Sequence, residues 1–587
     1  MMNSRTRMIL ELAKKAQVDE CIFVPDANMD SEIEDNDEYS FISPKAPEAR
    51  VVDFVESEEL DPTAELTPLN SVSFADEDKE EFGANFPSQC FEDDENVDIE
   101  DDTNEVFGAL TDEEKVEETT NPDEPICLVV KKTSVKRKIP KVKQLEFKWK
   151  EDEFIFPVTI FESKFSPVLI QPPTPYDYFR RYFDEDLITL IAENTNIYSE
   201  QTTGSSINTN NAEICDFIAI ELYMGILQLP AYTDYWSRQL RNQWVADIMP
   251  LKRYQTIRRY LHFADNNNDT KNDRYFKIRP FLEKIRQNCL LIEQEKRFSV
   301  DEMMIPYKGT RAGSRRQYMK AKPKKWGFKV YAIAGVSGII YDFLIYAGQE
   351  TFQSINFDET EETFGMSGKV VLALCKNIRE PACSSVYFDN FFCSPELVFH
   401  LREYKGILSL GTLRSNRSRG CEMKSDKQLS KEGRGSYQQM VDNTKKVVIV
   451  KWMDNKAVTL CSSYVSAYPV STIKRYDKNA HQKVEVPCPS IVHHYNAHMG
   501  GVDLADMLVA LYRTNFKTHR WYMSIFSQML DVCVNNAWLL YRRETALRGQ
   551  HKILPLKQFR LEIIYALNLK LRRPGRPSHS ESEESRS

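Results

Sequence analysis

Apolar and polar positions change rhythm several times along this chain, and each change marks an expected element boundary. From Thr174 the segment TPYDYFRRYFDEDLITLIAENTNIYSE carries aromatic and aliphatic residues in a pattern that predicts a helix pair, with Thr174 placed to cap the first. NAEICDFIAIELYMGILQLP predicts a second strong helical stretch, ended by Pro230. In PLKRYQTIRRYLHFAD, Leu251, Tyr254, Ile257 and Leu261 recur at helical spacing after a proline in the first turn. A further helix is expected from Arg279 to Gln294.

The pattern then turns β-like. RFSVDEMMIPY reads as a short strand around Asp301, and GFKVYAIAGVSGIIYDFLIYAG as two strands joined at Val336 to Gly338. A helix near Lys369 to Lys376, a buried strand SSVYFD, a helix from Pro395 to Tyr404 and a strand ILSLGTL follow. Three strands, a helix, a fourth strand and more helix is the element order of a ribonuclease-H-like α/β core. Between Arg414 and Val486 the chain looks β-rich, and KKVVIVKWMDNKAVTLCSSYV predicts a hairpin with an Asp-Asn-Lys turn. Helical spacing returns from Tyr495 to Arg543. The expected organisation is a disordered acidic tail (1–130), a basic linker (131–165), a helical region (166–295), the first part of the α/β core (296–413), a β-rich insertion (414–488), core completion with helices (489–550) and a basic, then disordered, tail (551–587).

Charge sharpens this division. The formal net charge of −10 hides a tail from Asp19 to Glu124 with 37 acidic and 4 basic residues, leaving 73 basic and 50 acidic residues elsewhere. The tail cannot bury enough apolar surface to offset chain entropy. Phe54, Phe74, Phe82, Phe86 and Phe91 among its acids suit an interaction segment, and a purely solubilising tail suits the composition equally. The positive remainder suits a polyanionic partner such as nucleic acid, or a solvated basic surface. Lys131 to Lys143, KKTSVKRKIPKVK, reads as a nuclear localisation signal or a DNA-backbone contact. Twelve cysteines run from Cys21 to Cys533 without a C-x-x-C pair, so no zinc site is expected. No apolar run approaches the roughly 20 residues that span a bilayer. A soluble, nuclear protein with no membrane partner is the expectation.

Three carboxylates stand out by setting: Asp301 in a strand, Asp389 at a strand end, and Asp503 in MGGVDLADM, with Asp506 one helical turn later. An aspartate inside an apolar strand is costly without a partner. Two such groups at neighbouring strand ends would suit magnesium or manganese. Each alone equally suits a turn cap or a helix-dipole partner. Between the first two, Lys308 to Lys329 holds nine basic residues and no acid; Arg311, Arg315, Arg316, Lys320, Lys322, Lys324 and Lys325 are its candidate DNA contacts. Tyr318 and Trp326 add possible stacking groups. Arg513, Lys517, His519 and Arg520 form a second cluster beside Trp521. A solvated face is the plain alternative for both clusters.

These segments resemble the piggyBac transposase family. The resemblance rests on VDEMMIPYKG (300–309), KPKKWGFKVY (322–331), YFDNFF (387–392) and YNAHMGGVDLADMLVALYRTNFKTHRWYM (495–523), and spans about Pro173 to Arg543. It implies that Asp301, Asp389 and Asp503 are the catalytic triad, that Asp506 joins them on Mg2+ or Mn2+, and that double-stranded DNA is the substrate. It further implies cut-and-paste transposition through a hairpin intermediate, joining at TTAA targets, a homodimer, and a helical dimerisation and DNA-binding domain flanking the core. The family's C-terminal cysteine-rich zinc domain is not expected here, since no cysteine follows Cys533. LRRPGRPS instead resembles a degenerate AT-hook that would place Arg576 in an A/T-rich minor groove. A domesticated DNA-binding protein that no longer transposes is the alternative, and a nuclear factor that binds proteins through its acidic tail is a third reading.

Overall fold

The computed structural model describes residues 145–156, 161–168, 171–320, 322–477, 481–550 and 552–569. The acidic segment, the Lys131 to Lys143 run and Arg576 lie outside these described residues.

Local signals set the first helices: α1 (Pro175–Arg180), α2 (Glu185–Thr203), α3 (Asn211–Ile226), α4 (Gln243–Ile248), α5 (Leu251–Tyr260) and α6 (Arg279–Leu291). Thr174 caps α1 reciprocally: its hydroxyl accepts from the Asp177 N–H, and the Asp177 carboxylate accepts from the Thr174 N–H. Asp184 caps α2, which ends at Gly204 in the left-handed region (φ 75°). Helix α3 ends at Ile226, short of Pro230. There the Tyr235 hydroxyl donates to the Leu227 carbonyl and accepts from the Leu229 N–H, so the exit is fixed before the proline is reached.

Strands β1 (Arg297–Pro306), β2 (Gln317–Tyr318), β3 (Trp326–Gly335) and β4 (Ile340–Ile345) lead into α7 (Met366–Cys375), β5 (Ser385–Phe388), α8 (Pro395–Lys405) and β6 (Leu408–Thr412). Next come α9 (Asp426–Glu432), β7 (Tyr437–Asp442), β8 (Val447–Met453), β9 (Ala457–Ser462), β10 (Val470–Asp477) and β11 (Gln482–Pro489). Four helices follow: α10 (Ser490–His498), α11 (Gly501–Leu511), α12 (Tyr522–Leu547) and α13 (Leu556–Leu569). The nine-stranded sheet runs β2-β3-β1-β5-β6-β9-β8-β7, with β4 also paired to β3. The β1–β5 and β5–β6 pairs are parallel, and the others are antiparallel.

The chain between 414 and 488 does not stand apart as one inserted unit. Strand β9 pairs antiparallel with β6, Leu410 facing Ser462 and Gly411 facing Cys461, so β7 to β9 prolong the central sheet. Pairing removes an otherwise open edge of β6. Gly411 is required there, because a Cβ would meet the Phe388 ring at 2.6 Å. Of this stretch, β10 and β11 form a separate two-stranded ribbon.

Two further segments depart from the expected organisation. Residues expected within the basic linker fold onto the sheet: Lys150 and Val441 exchange backbone hydrogen bonds of 2.9 and 2.8 Å, and Phe154 and Phe161 are buried with Tyr387, Trp452 and Tyr464. In the tail that begins at 551, α13 buries Phe559, Ile563, Ile564 and Leu567. Helix α12 is buried along most of its length and joins the helical region to the core. Tyr178 meets Tyr541 edge-on, and Phe526 packs on Phe263 and Phe281.

Candidate functional site

Strand register brings the first two carboxylates together. Val300 of β1 lies beside Phe388 of β5 in the parallel pair, so Asp301 and, one residue past the end of β5, Asp389 come next on the two chains. Parallel neighbours in register share a sheet face. Ser299, two residues before Asp301, lies on that face too. Its hydroxyl accepts from the Val502 N–H at 3.2 Å, which docks the start of α11 against β1. Gly501 permits the approach, since a Cβ there would collide with the Gly335 carbonyl and sit 2.7 Å from Ser299 Oγ. Asp503 thereby enters the first turn of a helix seated beside Asp301, and Asp506 follows one turn later.

Asp301 is buried, and one of its oxygens accepts from the adjacent Glu302 N–H at 2.8 Å. Asp389 does cap a turn: the Phe391 N–H donates to its Oδ1 at 2.9 Å, and the Phe392 N–H to its backbone carbonyl at 3.2 Å. Burial raises the Asp301 pKa to about 8; Lys322 opposes this, and Asp503, Glu302 and Asp389 reinforce it. Asp389 is raised by burial and by Glu302, and Asp506 by burial despite Arg513 and Lys322. Asp301, Asp389 and Asp506 thus each resist charge.

Two lysines supply the opposing charge. Lys322 donates to the Glu302 carbonyl at 2.9 Å; burial works against its charge, but Asp301, Asp503, Glu302 and Asp506 raise its pKa. Lys329 lies over the Phe391 ring at 4.6 Å and 3.9 Å from the Glu302 carboxylate, and burial lowers its pKa. Glu302 and Lys329 were not among the candidates singled out from sequence. Glu302 sits next to Asp301, and Lys329 closes the basic run, so adjacency was the available signal.

Among the described residues, no group of three or more His, Cys, Asp or Glu side chains is gathered tightly enough to hold a metal ion as it stands. The donor set nevertheless fits a hard divalent cation. It is all carboxylate, and Asp506 Oδ1 is buried without a hydrogen-bond partner.

The basic candidates divide by position. Arg311, Lys320, Lys324 and Lys325 are exposed around the β2–β3 hairpin. Lys322 instead turns inward to the carboxylates. Arg315 donates to the Arg274 and Ala312 carbonyls and lies over the Trp521 ring at 4.8 Å. Arg316 donates to the Lys308 carbonyl at 2.9 Å and covers Trp326 at 4.2 Å. In the second cluster, Arg520 donates to the Arg258, Arg259 and Leu261 carbonyls at the end of α5, and Arg513 donates to Gln528 at 2.6 Å. Lys517 is exposed and donates to the Pro230 carbonyl at 2.7 Å. Lys517 and Arg520 thus brace the α11–α12 connection against the helical region, and Arg513 ties it to α12.

Comparison with known proteins agrees with this architecture. A family model described as "Transposase IS4" matches residues 174–538. The human piggyBac transposable element-derived protein 2 is 30% identical over 379 residues, covering 63% of this chain and 62% of that protein. The human piggyBac transposable element-derived protein 3 is 30% identical over 374 residues, covering 63% and 61%. The chain thus spans about three fifths of the length of these relatives. A solved piggyBac transposase synaptic complex with hairpin DNA shares the fold, with a TM-score of 0.56 and 20% identity over 67% of this chain and 80% of that one.

Proposed function

Because the chain belongs to the piggyBac transposase family, we propose that it is a metal-dependent DNA transposase that cleaves and joins strands at TTAA sites, with Asp301, Asp389, Asp503 and Asp506 as its metal-binding carboxylates. The observation that carries this reading is the seating of α11 on β1, which brings the helix of Asp503 against the strand of Asp301, next to the end of β5 that Asp389 follows. The order β4-β3-β1-β5-β6, antiparallel on one side of β1 and parallel on the other, supports reading the centre of the sheet as a ribonuclease-H-like core.

In this reading the four aspartates hold Mg2+ or Mn2+. A divalent cation, when bound, supplies an activated water and steadies the leaving 3′ oxygen in an in-line attack on a phosphodiester. The protein's own residues do the rest. Exposed Arg311, Lys320, Lys324 and Lys325 hold backbone phosphates beside the site. Arg315, Arg316 and Arg520 keep that surface in shape through their carbonyl bonds. Lys322 and Lys329 offset the negative charge of the carboxylates. The active unit is a homodimer on double-stranded DNA in the nucleus, carried there by Lys131 to Lys143.

The test is an excision assay on the element's own flanking repeats next to TTAA. Seamless, metal-dependent excision supports the reading, and none with confirmed DNA binding refutes it. That second outcome would favour a domesticated DNA-binding protein, the reading suggested by the names of the human relatives as transposable element-derived proteins. Nuclear entry is checked separately: replacing the lysines of 131–143 by alanine should leave the protein in the cytoplasm, and unchanged accumulation removes that assignment.

A further inference from the structure

Helix α11 carries Asp503 in its first turn, yet Gly500 before it offers no side chain to cap that turn. The sheet supplies the anchor instead. Arg297, Ser299 and Asp301 alternate along β1 and share one of its faces. Ser299 accepts from the Val502 N–H at 3.2 Å, and Arg297 donates through Nη1 to His498 Nε2 at 2.5 Å. His498 is the last residue of α10, and Val502 lies in the first turn of α11. Two successive positions of the face thus pin the α10–α11 junction, and the third is Asp301.

The Arg297–His498 contact has a fixed sense. His498 Nδ1 lies 2.7 Å from the His494 carbonyl, which can only accept, so Nδ1 carries the ring proton. A guanidinium can only donate, so Nε2 is bare and accepts from it. Burial, and then Arg297, lower the His498 pKa to about 3, which keeps this neutral form. The ring also stacks on Tyr387, centroids 5.0 Å apart, and the Tyr387 hydroxyl is paired with that of Tyr464 at 2.7 Å. Tyr387 is the β5 partner of Ser299, so it belongs to the same face. Among the described residues, His498 is the one hydrogen-bond partner of the Arg297 guanidinium, whose Nε is buried with none. Keeping a half-buried cation for one neutral acceptor is costly, which argues for a task beyond packing on Phe161.

We propose that Arg297 and His498 are a positioning pair: together they fix the α10–α11 junction on β1 and so hold Asp503 in reach of a cation shared with Asp301. This rests on the reading of the aspartates as metal ligands, and adds two residues that act through Asp503. Groups that orient a metal ligand are worth about 10–100-fold in metal affinity, so a pair acting through the backbone should be worth about tenfold.

The experiment titrates the full chain with Mn2+ alone and reads free ion from its electron paramagnetic resonance signal. Nicking of a cognate end against Mn2+ concentration, DNA affinity and melting temperature are measured beside it. Arg297→Met and His498→Leu should each weaken Mn2+ binding about tenfold, and the double variant no further. The Mn2+ concentration for half-maximal nicking should rise by the same factor, while the rate at saturating Mn2+ and the DNA affinity stay within about twofold. Arg297→Lys and His498→Gln keep a donor and an acceptor at the contact, and should stay within about threefold of wild type. Wild-type Mn2+ affinity in every variant overturns the pair and leaves the metal-site reading standing. No Mn2+ binding by the wild type overturns both. Parallel losses of Mn2+ binding, DNA affinity and melting temperature, with the conservative variants no better, would assign the contact a purely structural role and also overturn the pair.

Discussion

Replacing Asp531 by asparagine should destabilise the protein by about 3–5 kcal/mol, although no described contact links this residue to the carboxylate site. Asp531 and Arg560 are each 1% exposed at the side chain and 2.8 Å apart. The aspartate also accepts from the Thr514 N–H and hydroxyl, both at 2.8 Å, and the arginine donates to the Thr514 hydroxyl at 2.8 Å and the Leu222 carbonyl at 3.3 Å. One buried ion pair therefore ties α3, α12, α13 and the loop after α11 together. At an effective dielectric of about 20, a pair at this distance attracts by about 6 kcal/mol, against a desolvation cost of several kcal/mol per ion. The net worth of the pair is small, whereas removing one partner strands the other charge in the interior. The asparagine preserves volume, so the loss reports charge rather than a cavity. Urea unfolding followed by tryptophan fluorescence measures it. Asp531→Leu combined with Arg560→Met should recover more than half of the single-mutant loss. A loss below about 1 kcal/mol for Asp531→Asn, or additive effects in the double mutant, would show that Arg560 is not stranded as an uncompensated buried charge.

Other expectations follow from the same contacts. His262, His494 and His498 are held neutral, burial lowering their pKa values to about 4, 4 and 3, with Arg297 further lowering the last two. The unfolded chain then binds more protons at these sites below pH 6.5, so their contribution to stability should fall as pH drops from 6.5 to 4, by up to about 4 kcal/mol per pH unit. Asp301, whose raised pKa acts in the opposite direction, offsets this by about 1.4 kcal/mol per pH unit. A flat acid profile of melting temperature would contradict this. Gly501→Ala should lift α11 from β1 and cut strand cleavage at least about tenfold while leaving DNA affinity within twofold; unchanged cleavage rates would remove the docking argument. Lys324→Ala with Lys325→Ala should reduce the slope of log affinity against log salt by about 2, and an unchanged slope would take these residues off the phosphates.

Much of the path to the site was legible because local signals agree with the fold. The Thr174 cap, the turns at Val336 to Gly338 and at Asp454 to Lys456, and the strand ending in Asp389 are each written in a few residues. What escaped needed partners distant in sequence. Phe147 and Trp149 alternate with charged residues in a strand-like way, but only the β7 edge gives the neighbouring Lys150 something to pair with. Phe559, Ile563 and Ile564 have helical spacing, yet the buried Arg560 among them reads as a polar break until Asp531 is placed beside it. Charge was similarly ambiguous. Arg315, Arg316 and Arg520 looked like DNA contacts in a basic run, but the carbonyls they serve come from folded turns and a helix end that sequence does not locate. Lys322 belongs to the same run and faces the carboxylates instead.

Asp301 is proposed above to belong to a metal-dependent strand-cleaving centre. Its most direct test is nicking of a cognate end by purified protein with and without Mg2+, wild type against Asp301→Asn, with DNA binding measured in parallel. The expected result is Mg2+-dependent nicking by the wild type, and a variant that binds the same DNA without cutting it. Nicking by the variant at the wild-type rate, or in the presence of a chelator, would contradict it.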